Sequence, residues 1–327
     1  MTVSPGKNNP RLSVVIPVFN CEDFIGRCIE SVLAQTFEDI EIIVLNNAST
    51  DQTPVIIAEY EKTHPGKIRI DTHENLGVAG NRNLGIELAR GEYIMFIDAD
   101  DLVLPNYCEV FYNEIDSGGH DVVLGGYFRT NEEGRVIRTV APRITPWAKY
   151  LLVTPWAKIH RVSFLREYGI RFNDSYGEDI VFCLHSIFKS DKIKVIKYSG
   201  YDWYFNENSI TNTIYKGFDE NVRVIPMLER IKELHDREDT YLDYFLVRSI
   251  MYYLLVSGRN GKPDDFVRIE AECFAWLDRY YPNASSCKYL FWGPTGEYFK
   301  TNIIVLIFTV IRKLRLLKLF AKVYCKG

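Results

Sequence analysis

The chain has 327 residues, 25% of them charged and 47% hydrophobic, proportions that exclude intrinsic disorder and a collagen-like or coiled-coil fibre. The formal charge is only −4, which argues against a broad nucleic-acid-binding face. That mean hides an asymmetry: residues 301–327 carry six basic and no acidic side chain, against 33 basic and 43 acidic residues elsewhere.

Residues 1–11 are polar, contain two prolines and lack an apolar core, so they read as a flexible tail and not as a secretory signal. The continuous β-branched run Leu12–Val18 predicts a buried strand. Residues 22–36 place Phe24, Cys28 and Val32 beside Ile25, Ile29 and Leu33, the apolar face of a helix. A second strand is predicted over residues 40–45. A helix over 53–64 follows, with Asp51 as its cap and Pro65-Gly66 as its stop. A third strand covers 68–72. A third helix covers 78–90, with Gly91 as its left-handed terminator. A fourth strand covers 93–98 (YIMFID). Strands alternating with helices predict a parallel sheet with right-handed crossovers and ligands beyond the carboxyl ends of the strands. Further on, a helix is predicted over 106–116, a strand over 121–128 and a hairpin partner over 135–140. Mixed elements continue to about residue 215, and helical, aromatic-rich spacing begins at Phe218. The boundaries read from this pattern are 1–11, 12–215, 216–300 and 301–327.

Seven scattered cysteines with no CxxC pair read as reduced thiols of a cytosolic protein. The strongest chemical signal is Asp98-Ala99-Asp100-Asp101 at the end of the fourth strand. Carboxylates so placed suit a divalent cation bridging the phosphates of a nucleotide; the alternative is an acidic loop. Three further segments fall on the same sheet edge: Pro17-Val18-Phe19-Asn20, Asn46-Asn47-Ala48-Ser49-Thr50-Asp51, and Glu74-Asn75-Leu76-Gly77 followed by Asn81-Arg82-Asn83. Singly, such residues are turn chemistry. Together they suit a nucleoside.

The order PVFN, NNASTD, ENLGVAGNRNLGI and YIMFIDADD resembles the inverting family 2 glycosyltransferases of the GT-A fold. Pro155–Arg161 (PWAKIHR) is similar to that family's W-x-K-L-Y-R segment, Phe172–Phe182 to its E-D-x-x-F segment, and Asn208–Thr211 to its N-S-I-T loop. The resemblance covers about residues 12–213. It implies a Rossmann-like α/β fold with a mixed, mainly parallel sheet flanked by helices, followed by a helical region. It also implies metal-dependent transfer of a sugar from a nucleotide diphosphate, UDP being favoured, to a hydroxyl of a surface polysaccharide or lipid-linked glycan. Asp100 and Asp98 would hold Mn2+ or Mg2+. Pro17, Phe19, Asn20, Asn46, Asn47, Asp51, Asn75, Arg82, Asp98 and Ala99 would bind the donor nucleotide. Asp179, beside Glu178, would be the general base at a helix N-terminus. Trp156, Lys158, Ser209 and Thr211 would meet the acceptor or the diphosphate, with packing the alternative for Trp156 and a solvated face for Lys158. The family has two aspartates and a glycine where this chain has Asn46, Asn47 and Ala48, which replaces charged acceptors with neutral amides. The other readings are a polyprenyl-phosphate glycosyltransferase, a sugar-nucleotide-binding scaffold without turnover and, fitting the motif order less well, a nucleotidyltransferase.

In the basic tail, Ile303–Ile311 is a nine-residue run that includes Thr309. As a helix it is roughly 14 Å long, too short for a core of about 30 Å. Arg315, Lys318, Lys322 and Lys326 fall on one stripe of a continuous helix, mostly opposite Leu314, Leu316, Leu317, Phe320 and Ala321, with Lys313 and Leu319 breaking the pattern. That pattern predicts an interfacial helix on an anionic membrane surface, with the Ile303–Ile311 run dipping into the bilayer or packing on the body, and a peripheral enzyme at the inner face; a core helix or an oligomer contact is the alternative.

Overall fold

All seven residues of Leu12–Val18 are buried, which suits only a strand covered on both faces. It lies inside the sheet of the computed structural model, which describes residues 9–205, 217–219, 223–235 and 239–327. In chain order the first elements are β1 (Leu12–Val18), α1 (Ile25–Leu33), β2 (Ile40–Asn46), α2 (Thr53–Thr63), β3 (Ile68–Thr72), α3 (Gly77–Leu88) and β4 (Tyr93–Phe96). Then come β5 (Leu102–Val103), α4 (Tyr107–Gly118), β6 (Val122–Thr130), β7 (Val136–Val140), α5 (Ala148–Leu151), β8 (Lys158–Arg161), α6 (Val162–Glu167), α7 (Glu178–Lys189) and β9 (Ile193–Asp202). The strand order is β3-β2-β1-β4-β8-β6-β9-β5, with β7 paired to β6.

The first four strands are parallel, β8 is antiparallel to β4 and β6, and β9 is parallel to β6. The result is a mixed α/β sheet with flanking helices. The chain builds β2 and β3 on one side of β1 and then returns through α3 to lay β4 on the other. The strand order therefore reverses at β1, which opens a crevice beyond its carboxyl end. Register brings the same edge together, with Val18 opposite Asn46 and Val15 opposite Phe96.

The described residues divide into two compact units. The first takes in those of Met1–Ile144, Leu152–Asp174 and Glu178–Asn206, and the second those of Thr145–Leu151, Ser175–Gly177 and Glu207–Gly327. In the second, helices run over Val224–Leu234, Thr240–Gly258, Pro263–Tyr280, Tyr289–Trp292, Phe299–Lys313 and Leu317–Tyr324. Asp239 caps the longest of them by accepting the Tyr241 and Leu242 amides at 2.8 and 3.2 Å. Its core is aromatic: Trp147 stacks on Tyr150 at 5.8 Å and meets Tyr244 edge-on at 5.1 Å. Among the described residues no helix is long and apolar enough to cross a membrane.

Three expectations are corrected. Gly91 does not end α3 in a left-handed turn; Ala89 does so in an extended conformation (φ −58°, ψ 124°). Gly91 is glycine for want of space, since a Cβ there would stand 2.6 Å from the Ser13 nitrogen. Asp51 does not cap α2 from the N-cap position, which Gln52 occupies; it accepts the Thr53 amide at 3.0 Å from one residue earlier. The tail is two helices, broken where Arg315 adopts φ 59°. The predicted basic stripe therefore does not form on one helix, and Leu317 and Ala321 are buried.

Candidate active site

At the switch point the loops after β1 and β2 are laced together by short polar side chains. The Asn20 amide donates to the Ser49 hydroxyl at 3.0 Å, and its side-chain oxygen accepts the Thr50 amide at 2.8 Å. Asn20 does this at φ 46°, a left-handed conformation that asparagine tolerates. Asp51 accepts the Glu22 amide at 3.1 Å, and Glu22 accepts the Gln52 amide at 2.7 Å. Pro17 is buried and Phe19 leaves half its surface open.

Asn46 and Asn47 are both buried. The Asn46 oxygen accepts the Ser49 amide at 3.1 Å. Asn47 donates to the Asn75 side chain at 2.9 Å and accepts the Leu76 amide at 2.8 Å. It uses its donor and acceptor ends together, which an aspartate in its place would not. Asn75 in turn accepts the Gly77 amide at 2.9 Å.

The second half of the site centres on Arg82, which is 4% exposed. One guanidinium nitrogen donates to Asp98 at 2.8 Å; the other donates to Asp179 at 2.6 Å and lies 3.7 Å from Glu178. The flanking asparagines fix the arginine. Asn81 donates to the Leu45 carbonyl at 3.1 Å, while Asn83 clasps Phe172 by donating to its carbonyl at 2.8 Å and accepting its amide at 2.9 Å. The Phe172 ring lies 5.3 Å from the guanidinium and stacks on Phe182 at 3.9 Å. α3 thereby joins β2, the end of β4 and the start of α7 around one cation.

Burial works against the charge of Arg82, but Asp179, Asp98 and Glu178 outweigh it and raise its pKa. Burial pushes Glu178 up to about 7, helped by the Asp179 charge and opposed by Arg82. Burial also raises Asp179, with Arg82 countering and Asp98 adding to the rise.

The acidic triplet divides its labour. Asp101 is buried, accepts the Tyr201 hydroxyl at 2.6 Å and the Tyr204 amide at 2.9 Å, and is raised well above the usual carboxylate range by burial and by Asp100 and Asp98. The Tyr201 hydroxyl also accepts the Asp98 amide at 3.1 Å. Asp98 and Asp100 are half-buried, with Ala99 buried between them. Arg27 donates to the Asp100 carbonyl at 2.9 Å and lies over the Tyr204 ring at 3.8 Å. Two hard carboxylates at this edge are the donor type that Mg2+ or Mn2+ takes. Among the described residues no group of three or more His, Cys, Asp or Glu is arranged to hold a metal ion.

Trp156 and Lys158 sit beneath the site. Trp156 stacks face to face on Tyr201 at 4.5 Å and meets Tyr127 edge-on at 4.9 Å. The buried Lys158 ammonium donates to the Thr154 and Trp156 carbonyls, and burial lowers its pKa. Ser209 and Thr211 lie outside the described residues. The structure thus brings Asp98, Arg82, Glu178 and Asp179 together, and it holds Asn46, Asn47, Trp156 and Lys158 buried against their own neighbours. Tyr201, Arg27 and the Asn83–Phe172 clasp have no local sequence signal; each is defined by a partner roughly 70 or more residues away in the chain.

A model described as "Glycosyl transferase family 2" matches residues 13–194. The chain is 29% identical to the "Uncharacterized glycosyltransferase EpsJ" of Bacillus subtilis, over 65% of this chain and 67% of that protein. It is 33% identical to the "Poly(ribitol-phosphate) beta-glucosyltransferase" of Bacillus spizizenii, over 60% of this chain but only 32% of that protein. Residues 1–349 of S. aureus TarS, solved in complex with UDP-GlcNAc, superpose with a TM-score of 0.71 at 20% identity, covering 94% of this chain and 92% of that one. That match shows the GT-A fold.

Proposed function

The chain belongs to glycosyl transferase family 2, and from that premise we propose an inverting, metal-dependent transfer of a sugar from a UDP-sugar to a hydroxyl of a surface polysaccharide or lipid-linked glycan. The observation that carries the reading is the convergence on Arg82 of Asp98, from the end of the central sheet, and Asp179, from the first turn of α7. Donor-holding and proton-accepting groups thereby share one edge of one crevice. The UDP-GlcNAc complex of TarS and the beta-glucosyltransferase activity named for the B. spizizenii relative support the donor and acceptor classes.

In this mechanism the open face of Phe19 takes the nucleobase by stacking, and the laced loops after β1 and β2 shape the nucleoside pocket. Asp98 and Asp100 would hold Mn2+ or Mg2+, which when bound supplies positive charge against the departing diphosphate. The acceptor hydroxyl attacks the anomeric carbon from the face opposite the diphosphate. The new C–O bond forms as the bond to the phosphate oxygen breaks, and the centre inverts. Asp179 takes the hydroxyl proton. Arg82 orients that carboxylate and favours its ionised form. Glu178 tunes the pair by like-charge repulsion. The enzyme works peripherally at the inner face of a membrane, where lipid-borne acceptors are met.

The test is a panel of nucleotide sugars assayed for hydrolysis and transfer with Mn2+, Mg2+ or a chelator. Turnover of a UDP-sugar that the chelator abolishes supports the reading. Nucleotide-sugar binding without turnover under any metal would overturn it in favour of a scaffold.

A further inference from the structure

The helix Phe299–Lys313 is apolar on two opposite faces. Its inward face buries Val305, Phe308 and Thr309, and Arg312 on that side pairs with Glu270. Phe299, Ile303, Ile307, Val310 and Leu314 recur at steps of four, four, three and four. At 100° per residue they share an arc of about 80° on the other side. All five are exposed, Phe299 at 77% and Leu314 at 62%, and Trp292, on the short helix that precedes them, is 86% exposed. Lys300 and Lys313 fall on the two shoulders of the stripe. Lys318 and Lys322 are exposed on the helix that follows.

We infer that this stripe is the face by which the protein lies on an anionic lipid bilayer. The inference extends the peripheral attachment proposed above and rests on that reading for its purpose. A soluble surface rarely leaves so many large apolar side chains in one row. A helix of 15 residues is about 22 Å long and cannot span a hydrocarbon core of about 30 Å, but lying flat it can sink one face below the headgroups. Lysines on both shoulders bury their stems along the apolar strip and carry their ammonium groups to lipid phosphates. Charge selects this occupant over a second copy. Residues 301–327 hold six cations and no acidic side chain, so pairing this face with itself sets like charges together. The contact narrows the one the sequence pattern predicts, which combined the Ile303–Ile311 run with the apolar side of a basic helix beyond it. It is carried by Phe299–Leu314 and not by the apolar side of Leu317–Tyr324, whose Leu317 and Ala321 are buried.

The experiment is flotation of the full chain with phosphatidylcholine vesicles, with and without phosphatidylglycerol. The wild type should float with the anionic vesicles. A variant with Ile303→Asn, Ile307→Asn and Leu314→Asn keeps its fold by circular dichroism because all three side chains face solvent, and should lose binding by about tenfold or more. Exchange of Lys300, Lys313 and Lys318 for Gln should remove the preference for phosphatidylglycerol. Equal flotation of the Asn variant and the wild type overturns the inference. So does a wild type that ignores anionic vesicles, or one that sediments as a dimer which the Asn variant splits. Equal donor hydrolysis by both proteins without vesicles supports a face separate from the chemistry. A wild type that floats but turns over no donor overturns the proposed reaction and leaves the membrane face standing.

Discussion

Asp179 accepts a hydrogen bond from Arg82 at 2.6 Å, although the two residues lie 97 positions apart in the chain. The pairing is more than an ion pair at a helix start. The other arm of the same guanidinium holds Asp98, so the group proposed to take a proton and the group proposed to hold the donor's metal are braced by one planar cation. Arginine can do this because its donors form a rigid fork, whereas a lysine is a point charge.

Arg82→Lys should therefore keep the net charge and lose the bridge, with kcat falling by about 10–100-fold while the chain stays folded. Arg82→Met leaves Asp98, Glu178 and Asp179 crowded without a counter-charge, and uncompensated buried charge costs about 3–5 kcal/mol. Loss of the cation raises the carboxyl pKa values, so the acidic limb of the rate profile should move to higher pH. Steady-state kinetics across pH and thermal melts of both variants check this. Unchanged kinetics in Arg82→Lys would show that the bridge has no role in positioning.

Asp179→Asn keeps the shape of the carboxyl group and removes its basicity. Transfer should fall by about 10²–10⁴-fold, the range of general base catalysis, while nucleotide binding measured by calorimetry stays within about threefold. Glu178→Gln should cost less, because Glu178 stands 3.7 Å from Arg82, beyond hydrogen-bond distance, while the Asp179 charge acts to raise its pKa. Activity retained in Asp179→Asn would favour a lipid phosphate acceptor, which needs no strong base.

Tyr201→Phe separates the fold from the chemistry. The hydroxyl donates to Asp101 and accepts the Asp98 amide, so its removal leaves a buried carboxylate short of a partner, a loss of about 1–3 kcal/mol. The melting temperature should drop and metal-dependent donor affinity should weaken together, since both depend on the turn at Asp98–Asp101. Donor affinity left intact in a destabilised protein would show that the turn holds without this hydroxyl.

Much of this arrangement is legible in the chain itself. Local periodicity specifies the βαβ alternation, and the motif order alone puts Asn20, Asn47, Arg82 and Asp98 on one edge of the sheet. What is not legible depends on distant partners. Gly91 looks like a helix terminator, but its lack of a side chain answers to Ser13 on a neighbouring strand. The Arg82 side chain looks ready for a phosphate or a base, and its partners are Asp98, just beyond β4, and Glu178 and Asp179 at the start of α7. The tail reads as one helix because its periodicity carries through Arg315, where the backbone turns left-handed.

Ala48 offers a prediction on backbone strain. It adopts φ 60°, where the resemblance places glycine and where an L side chain crowds the following carbonyl. Ala48→Gly should raise stability by about 0.5–1 kcal/mol, since relief of the left-handed penalty outweighs the added freedom of the unfolded chain. Chemical denaturation reads the change directly. A loss of stability would mean that the Ala48 methyl group contributes packing greater than the strain.

His160 sets the acid limit of the fold. It is fully buried on β8, its ring meets Phe182 at 5.3 Å, and neither ring nitrogen has a hydrogen-bond partner among the described residues. Burial, with the Lys158 charge adding to it, holds its pKa at about 3 against an ordinary 6.5. The neutral ring is thus native and the protonated ring belongs to the unfolded chain. Above pH 6.5 both states are neutral and His160 contributes nothing to the pH dependence. As pH falls through that value the unfolded state gains a proton that the native state refuses, and stability drops by about 1.4 kcal/mol per pH unit until the folded pKa is reached. Between pH 7 and pH 5 this amounts to about 2 kcal/mol. His160→Phe keeps an aromatic ring, as the tyrosine of the resembling family segment does, and removes the titration. Its stability should fall about 2 kcal/mol less than that of the wild type over the same interval. Part of the acid loss should remain, because burial also lowers His185 to about 4. Urea denaturation of both proteins at pH 7, 6 and 5 decides the matter, and parallel losses in the two would remove His160 from the account of acid sensitivity.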